Sequence, residues 1–103
     1  MKLKDKQILF SKMVAKLIMF AEEQGYDIVL GYAFRCKDCP VGKSTSLHKR
    51  CLAIDLELFK DGIYLTKTSD HKPLGLFWES IGGSWGGRFD DGNHYSLEHN
   101  GMK

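Results

Sequence analysis

Long hydrophobic runs, prolines in number and a strong charge of either sign are all missing from this chain of 103 residues. No apolar stretch approaches the roughly 20 residues of a membrane-spanning helix, so stable membrane insertion is not expected. The apolar segment behind the basic start Met1-Lys-Leu-Lys-Asp-Lys is broken by Ser11, Lys12 and Lys16, and no small-residue cleavage site follows. Synthesis in the cytoplasm without a signal peptide is the expectation. A net charge of +2 is too small to argue for nucleic acid, and no basic-aromatic interleaving follows the lysines gathered at the start. Three cysteines, Cys36, Cys39 and Cys51, form an odd set that excludes a full disulfide framework. The length allows a single domain, residues 1–103, and a monomer is expected.

What is present is a mixture of helical and strand periodicity, which gives an α+β fold class. Phe10, Met13, Val14, Leu17, Ile18 and Ala21 recur at helical spacing and predict an amphipathic helix over residues 7–24, stopped at Gly25. Strand formers between Tyr26 and Phe34 predict a strand leading into Arg35. Residues 36–47 are rich in turn formers and read as a loop. From Cys51 to Phe59 the pattern alternates, with Leu52, Ile54, Leu56 and Leu58 on one face and Ala53, Asp55 and Glu57 on the other. Lys60-Asp61-Gly62 predicts a hairpin turn into Ile63-Tyr64-Leu65. Ser69 or Asp70 is positioned to cap a short helix through Pro73, Leu76, Phe77 and Trp78, ending at Gly82-Gly83. A glycine-rich loop through Gly87 then leads to a last strand around His94-Tyr95-Ser96-Leu97. Trp78 and Trp85 read as packing residues, and His71 and His99 as surface residues.

Two segments carry the chemistry: Ser46-Leu-His48-Lys-Arg-Cys-Leu-Ala53-Ile-Asp55 and Asp91-Gly-Asn-His94. Together they offer two imidazoles and a carboxylate as metal ligands, and a spare carboxylate, Asp91, three residues before the second imidazole. Three protein ligands leave one corner of a tetrahedral zinc ion open, the arrangement of a hydrolytic rather than a structural site. The core demand on the even-numbered residues makes Asp55 project from the opposite face, where the small Ala53 leaves room. His48 and Asp55, if joined by extended chain, would stand roughly 23 Å apart at about 3.3 Å per residue. A shared ion therefore requires the chain to fold back at Lys49-Arg50-Cys51.

The string Ser46-x-His48-x-x-x-x-Ala53-x-Asp55, followed by Gly82-Gly83-x-Trp85 and Asp91-x-x-His94-Tyr95, resembles the zinc D-alanyl-D-alanine carboxypeptidase and dipeptidase family. It is most similar to the L-alanyl-D-glutamate peptidase branch found in phage endolysins, over about Gly31 to Glu98. The resemblance implies the Hedgehog/DD-peptidase fold, with helices packed on a small, mainly antiparallel sheet. It also implies Zn2+ ligands at His48, Asp55 and His94, and Asp91 as general base and acid. Arg35 is implied to steady the substrate and the developing oxyanion, and Ser46 to support the site from behind. The chain departs from the family at Cys51, where glycine is usual, and at Ala33-Phe34, which separate Gly31-Tyr32 from the arginine. The implied substrate is a peptidoglycan stem peptide cut at L-Ala–D-Glu, with release to the cell wall through a holin-type lesion in phage or prophage lysis.

Two other readings remain open on the sequence. The same site suits a D-Ala-D-Ala carboxypeptidase. Alternatively, Cys36, Cys39, His48 and Cys51 form a structural zinc site, in which case the chain is a binding module and not an enzyme.

Overall fold

The structure is a computed structural model that describes residues 2–31 and 52–99. It begins with a helix, α1 (Leu3–Glu23), followed by strand β1 (Asp27–Leu30). The long strand β2 (Ala53–Lys60) and β3 (Ile63–Leu65) form a hairpin. A 3₁₀ turn at Thr68–His71 leads into α2 (Lys72–Ser80), then β4 (Ser84–Trp85), a second 3₁₀ turn at Gly86–Phe89, and β5 (His94–Ser96). The described residues thus make a small α+β domain, two helices packed on an antiparallel sheet.

Strand β2 organises the sheet. Its outer half pairs with β1 on one edge, and its first three residues pair with β5 on the other. The order is β1-β2-β5-β4, with β3 adding to the far end of β2. The hairpin turns at Asp61 (φ 52°) and Gly62 (φ 77°), two successive left-handed residues that match the twist of the flanking strands.

Alternation on β2 does what the sequence requires. Leu52, Ile54, Leu56 and Leu58 are buried against Phe10, Met13, Leu17 and Ala21 of α1 and Leu74 and Trp78 of α2. Phe10 meets Trp78 edge-on at 5.8 Å, and Trp78 meets Tyr95 edge-on at 6.0 Å. Ala53, expected on the outer face, is fully buried as well. The first half of β2 is therefore covered on both faces, and Asp55 leaves it from a mostly closed environment.

Some boundaries differ from the expected ones. Helix α1 begins at Leu3, not at residue 7, because Leu3 reaches the core along the same stripe as Phe10 and Leu17, and lysines are good helix formers. Asp70 does not cap α2; its carboxylate accepts the Lys67 backbone N–H at 3.0 Å and closes the preceding 3₁₀ turn. Within the glycine-rich stretch, Ser84–Trp85 pairs with β5 as a short strand. Tyr32–Phe34, the loop over 36–47 and the bend at 49–51 lie outside the described residues. Among the described residues, no helix is long and apolar enough to cross a membrane.

Candidate functional site

Asp55 and His94, far apart in sequence, are directly opposite one another in the β2–β5 ladder. Directly opposed residues of an antiparallel pair project on the same face with close Cβ atoms, so backbone register alone brings carboxylate and imidazole together. His94 Nδ1 stands 3.5 Å from Asp55 Oδ1. Both side chains are mostly enclosed, at 12% exposure for His94 and 16% for Asp55. Flanking bonds pin the backbone on each side. Gly31 N–H donates to Asp55 O at 2.8 Å, and Leu56 N–H donates to Asn93 O at 2.9 Å.

Asp91 is held differently. It lies in the exposed turn before β5, where its N–H donates to Gly86 O at 2.9 Å and its carbonyl accepts the His94 N–H at 3.0 Å. The Asp91-x-x-His94 spacing is therefore a closed turn that fixes the acid relative to the imidazole while leaving the carboxyl at the surface. Gly86 sits under this turn; a Cβ there would come within 2.7 Å of His94 Cβ, so the close approach requires glycine.

Two indoles anchor the turn to the body of the fold. Trp78 Nε1–H donates to Ser96 O at 2.8 Å and to Ser84 O at 3.1 Å, which locks α2 to β4 and β5. Trp85 Nε1–H donates to Gly92 O at 2.8 Å, inside the Asp91 turn. Both packing roles agree with the sequence expectation, and the hydrogen bonds add a function to them. Arg88 adds an outer brace through a two-pronged pair with Glu79, at 2.7 Å and 2.9 Å, over the Trp85 ring.

Beside Asp91 a cleft of about 180 Å³ opens, with Glu57, Tyr64, His71, Asp90, Asp91 and Asn93 among its walls. Tyr64 donates its hydroxyl proton to Glu57 Oε2. That bond, with burial and the Glu57 charge behind it, raises the Tyr64 pKa and keeps the phenol protonated. His71, expected at the surface, is instead 3% exposed, with Nδ1 at 2.8 Å from Tyr95 Oη. Burial lowers its pKa against the opposing pull of Asp70 and Glu57, so the ring is neutral near pH 7. Burial likewise raises the Tyr95 pKa. The signal for His71 is in the sequence: His71, Leu74, Gly75 and Trp78 stand at i, i+3, i+4 and i+7, the buried stripe of α2 extended one turn back. His99 is half-buried, with Nδ1 3.3 Å from Lys6 Nζ.

Of the residues singled out from sequence, the structure brings Asp55, His94 and Asp91 to one end of the β2–β5 ladder. His48, Arg35 and Ser46 lie outside the described residues, as do Cys36, Cys39 and Cys51. Among the described residues no group of three or more histidines, cysteines or acids is close enough to hold a metal ion; Asp55 and His94 are a pair. One imidazole nitrogen and one carboxylate oxygen on rigid neighbouring strands are donors of the type zinc takes, so the pair fits as part of a three-ligand set. No family model and no curated protein matches this chain.

Proposed function

We propose that this chain is a zinc peptidase of the D-alanyl-D-alanine carboxypeptidase and L-alanyl-D-glutamate peptidase family, with the Hedgehog/DD-peptidase fold. Its substrate is the peptidoglycan stem peptide, cut at L-Ala–D-Glu, in a phage or prophage lysis role. The observation that carries this reading is the opposition of Asp55 and His94 across the β2–β5 ladder, with Asp91 closing the turn that leads into it. A pair chosen on motif grounds from distant parts of the sequence meets at a single rung.

In this reading His48, Asp55 and His94 would hold the ion, which when bound supplies a Lewis acid and lowers the pKa of a water to near neutrality. The enclosed strand pair keeps its two donors in fixed geometry. Asp91, exposed on its closed turn, accepts the proton of the attacking water and returns it to the departing amine. Arg35 steadies the charge that develops on the carbonyl oxygen, the contribution that is usually largest. The cleft beside Asp91 receives the substrate next to the proton-transfer group.

Digestion of purified peptidoglycan with zinc present, with the new termini identified by mass spectrometry, tests the reading. Free D-glutamyl amino termini and L-alanyl carboxyl termini are expected, and a chelator should suppress them. Released D-alanine alone would move the assignment to a carboxypeptidase. Intact stem peptides would remove the enzyme reading.

A further inference from the structure

His94 carries the imidazole of the candidate site, yet its own strand does little to fix the direction of that ring. β5 is three residues long, and β4 pairs only with Tyr95 and Ser96. At the His94 rung the strand has β2 on one side and, among the described residues, no strand on the other. Contacts with one neighbouring element make up for this. We propose that His71 is a positioning residue for His94, acting through the hydroxyl of Tyr95.

The element is the 3₁₀ turn Thr68–His71, and it holds the chain on both sides of His94. Before His94, Gly92 passes so close that a Cβ there would lie 2.6 Å from Thr68 Cα. After His94, Tyr95 reaches back to His71, with Oη 2.8 Å from Nδ1. The imidazole of the site thus stands between two points of attachment to the same turn.

The turn is a firm base for this. Asp70 N–H donates to Lys67 O, and Lys67 N–H donates to Asp70 Oδ2, each at 3.0 Å, so the turn is closed on itself. Helix α2 continues directly from His71. It lies hard against β4, since a Cβ at Gly75 would fall 2.1 Å from Trp85 Cδ2. His71 is therefore carried by a packed turn–helix unit and not by a loop.

Strand geometry turns that anchor into a lever. Successive side chains point to opposite faces, so Tyr95 enters the core while His94 projects from the other face beside Asp55. The Tyr95 ring is fully buried and meets Trp78 edge-on at 6.0 Å. Its tip ends on His71, itself only 3% exposed. A buried hydroxyl or imidazole is costly unless it is hydrogen-bonded, so the pair holds the tip of the ring at one depth. A fixed tip sets the roll of β5 about its own axis, and the roll sets where His94 points. An apolar pair would fill the same space without burying polar atoms; what the polar pair adds is orientation. That His94 is a metal ligand rests on the peptidase reading; that His71 sets the direction of its ring does not.

The test is Tyr95→Phe, which removes the hydroxyl and keeps the ring. Zinc affinity is measured by competition with a chromophoric chelator, at a temperature where every variant is folded. The Kd should rise about tenfold, the lower end of the 10–100-fold that loss of an outer support costs a metal site. His71→Asn should raise it similarly, and the double variant no further than either single one. Leu17→Val, a core substitution on α1, lowers stability without altering the Tyr95 tip and should leave the Kd unchanged. Unchanged affinity in Tyr95→Phe, additive losses in the double variant, or an equal loss in Leu17→Val would overturn the proposal. If the unaltered protein binds no zinc, the metal reading fails and the imidazole itself decides. Its ring 1H–15N NMR signals, recorded at one pH, should then move in Tyr95→Phe and stay in place in Leu17→Val. His94 signals that do not move in Tyr95→Phe would overturn the positioning role.

Discussion

Asp55 and Asp91 are two carboxylates that the proposed function places at one centre, and the chain holds them by contrasting means. Asp55 sits in the middle of the sheet, bonded through its backbone to Gly31 on one edge and placed opposite His94 on the other. Its side chain is mostly enclosed, and its position follows from strand register, which a one-residue slip would destroy. Asp91 is exposed, and among the described residues its ties run through its backbone, to Gly86 and His94. A ligand needs fixed distance and little solvent. An acid–base group needs fixed anchorage and free access to water and substrate. The two modes of support match those separate needs.

The sharpest way to break this comparison is to alter each carboxylate in turn. If the proposed peptidase function holds, Asp91→Asn should keep the turn and the zinc content while lowering turnover about 10²–10⁴-fold, the usual contribution of acid–base catalysis. Asp55→Ala should instead lower zinc content, read by elemental analysis after dialysis, with turnover falling in proportion. Normal turnover in Asp91→Asn would remove it from the chemistry. Loss of zinc from both variants would erase the distinction between the two carboxylates.

The supports beneath the two carboxylates sharpen it further. Trp78 is fully buried and joins α2 to both β4 and β5, so it underlies the whole ladder. Trp78→Ala should cost about 3–5 kcal/mol of stability in denaturant unfolding, with Asp55 and Asp91 losing their arrangement together. Trp85 is tied instead to the Asp91 turn through Gly92 O. Trp85→Phe removes that one hydrogen bond and should cost about 1 kcal/mol. Turnover should fall while zinc content holds, because the strand pair does not depend on this bond. Equal loss of zinc and turnover in Trp85→Phe would mean that turn and ladder move as one unit.

The same division decides what could be read from sequence. Period-two alternation on β2 gave both the core residues Leu52, Ile54, Leu56 and Leu58 and the face that carries Asp55. The hairpin at Asp61-Gly62 was legible from turn chemistry. The pairing of Asp55 with His94 was legible only as a motif, since cross-strand register depends on tertiary contacts that spacing does not encode. Lys4 and Lys6 hide the link between Leu3 and Phe10, so the periodicity starts the helix at residue 7 while α1 begins at Leu3. His71 is hidden for a related reason: it stands among Thr68, Ser69, Asp70 and Lys72, whose polarity suggests solvent. Helical phase, rather than local polarity, puts it in line with Leu74 and Trp78. The acidic cleft draws its walls from β2, β3, the first 3₁₀ turn and the turn before β5, so no contiguous stretch announces it.

The buried His71–Tyr95 contact offers the mildest test, through pH. Burial lowers the His71 pKa in the folded chain below its unfolded value of about 6.5. The unfolded state therefore binds the proton more readily, and unfolding becomes easier as the solution is acidified. The contribution to stability is fully present above about pH 6.5 and is lost as pH falls through that value toward the lower folded pKa. Asp70 and Glu57 limit the loss, since both favour the protonated ring. Denaturant midpoints measured at pH 7.5 and pH 5 should fall on acidification, and less so in His71→Asn, which cannot take up the proton. A parallel fall in His71→Asn and the unaltered chain would mean that the imidazole is not the group whose charging drives it.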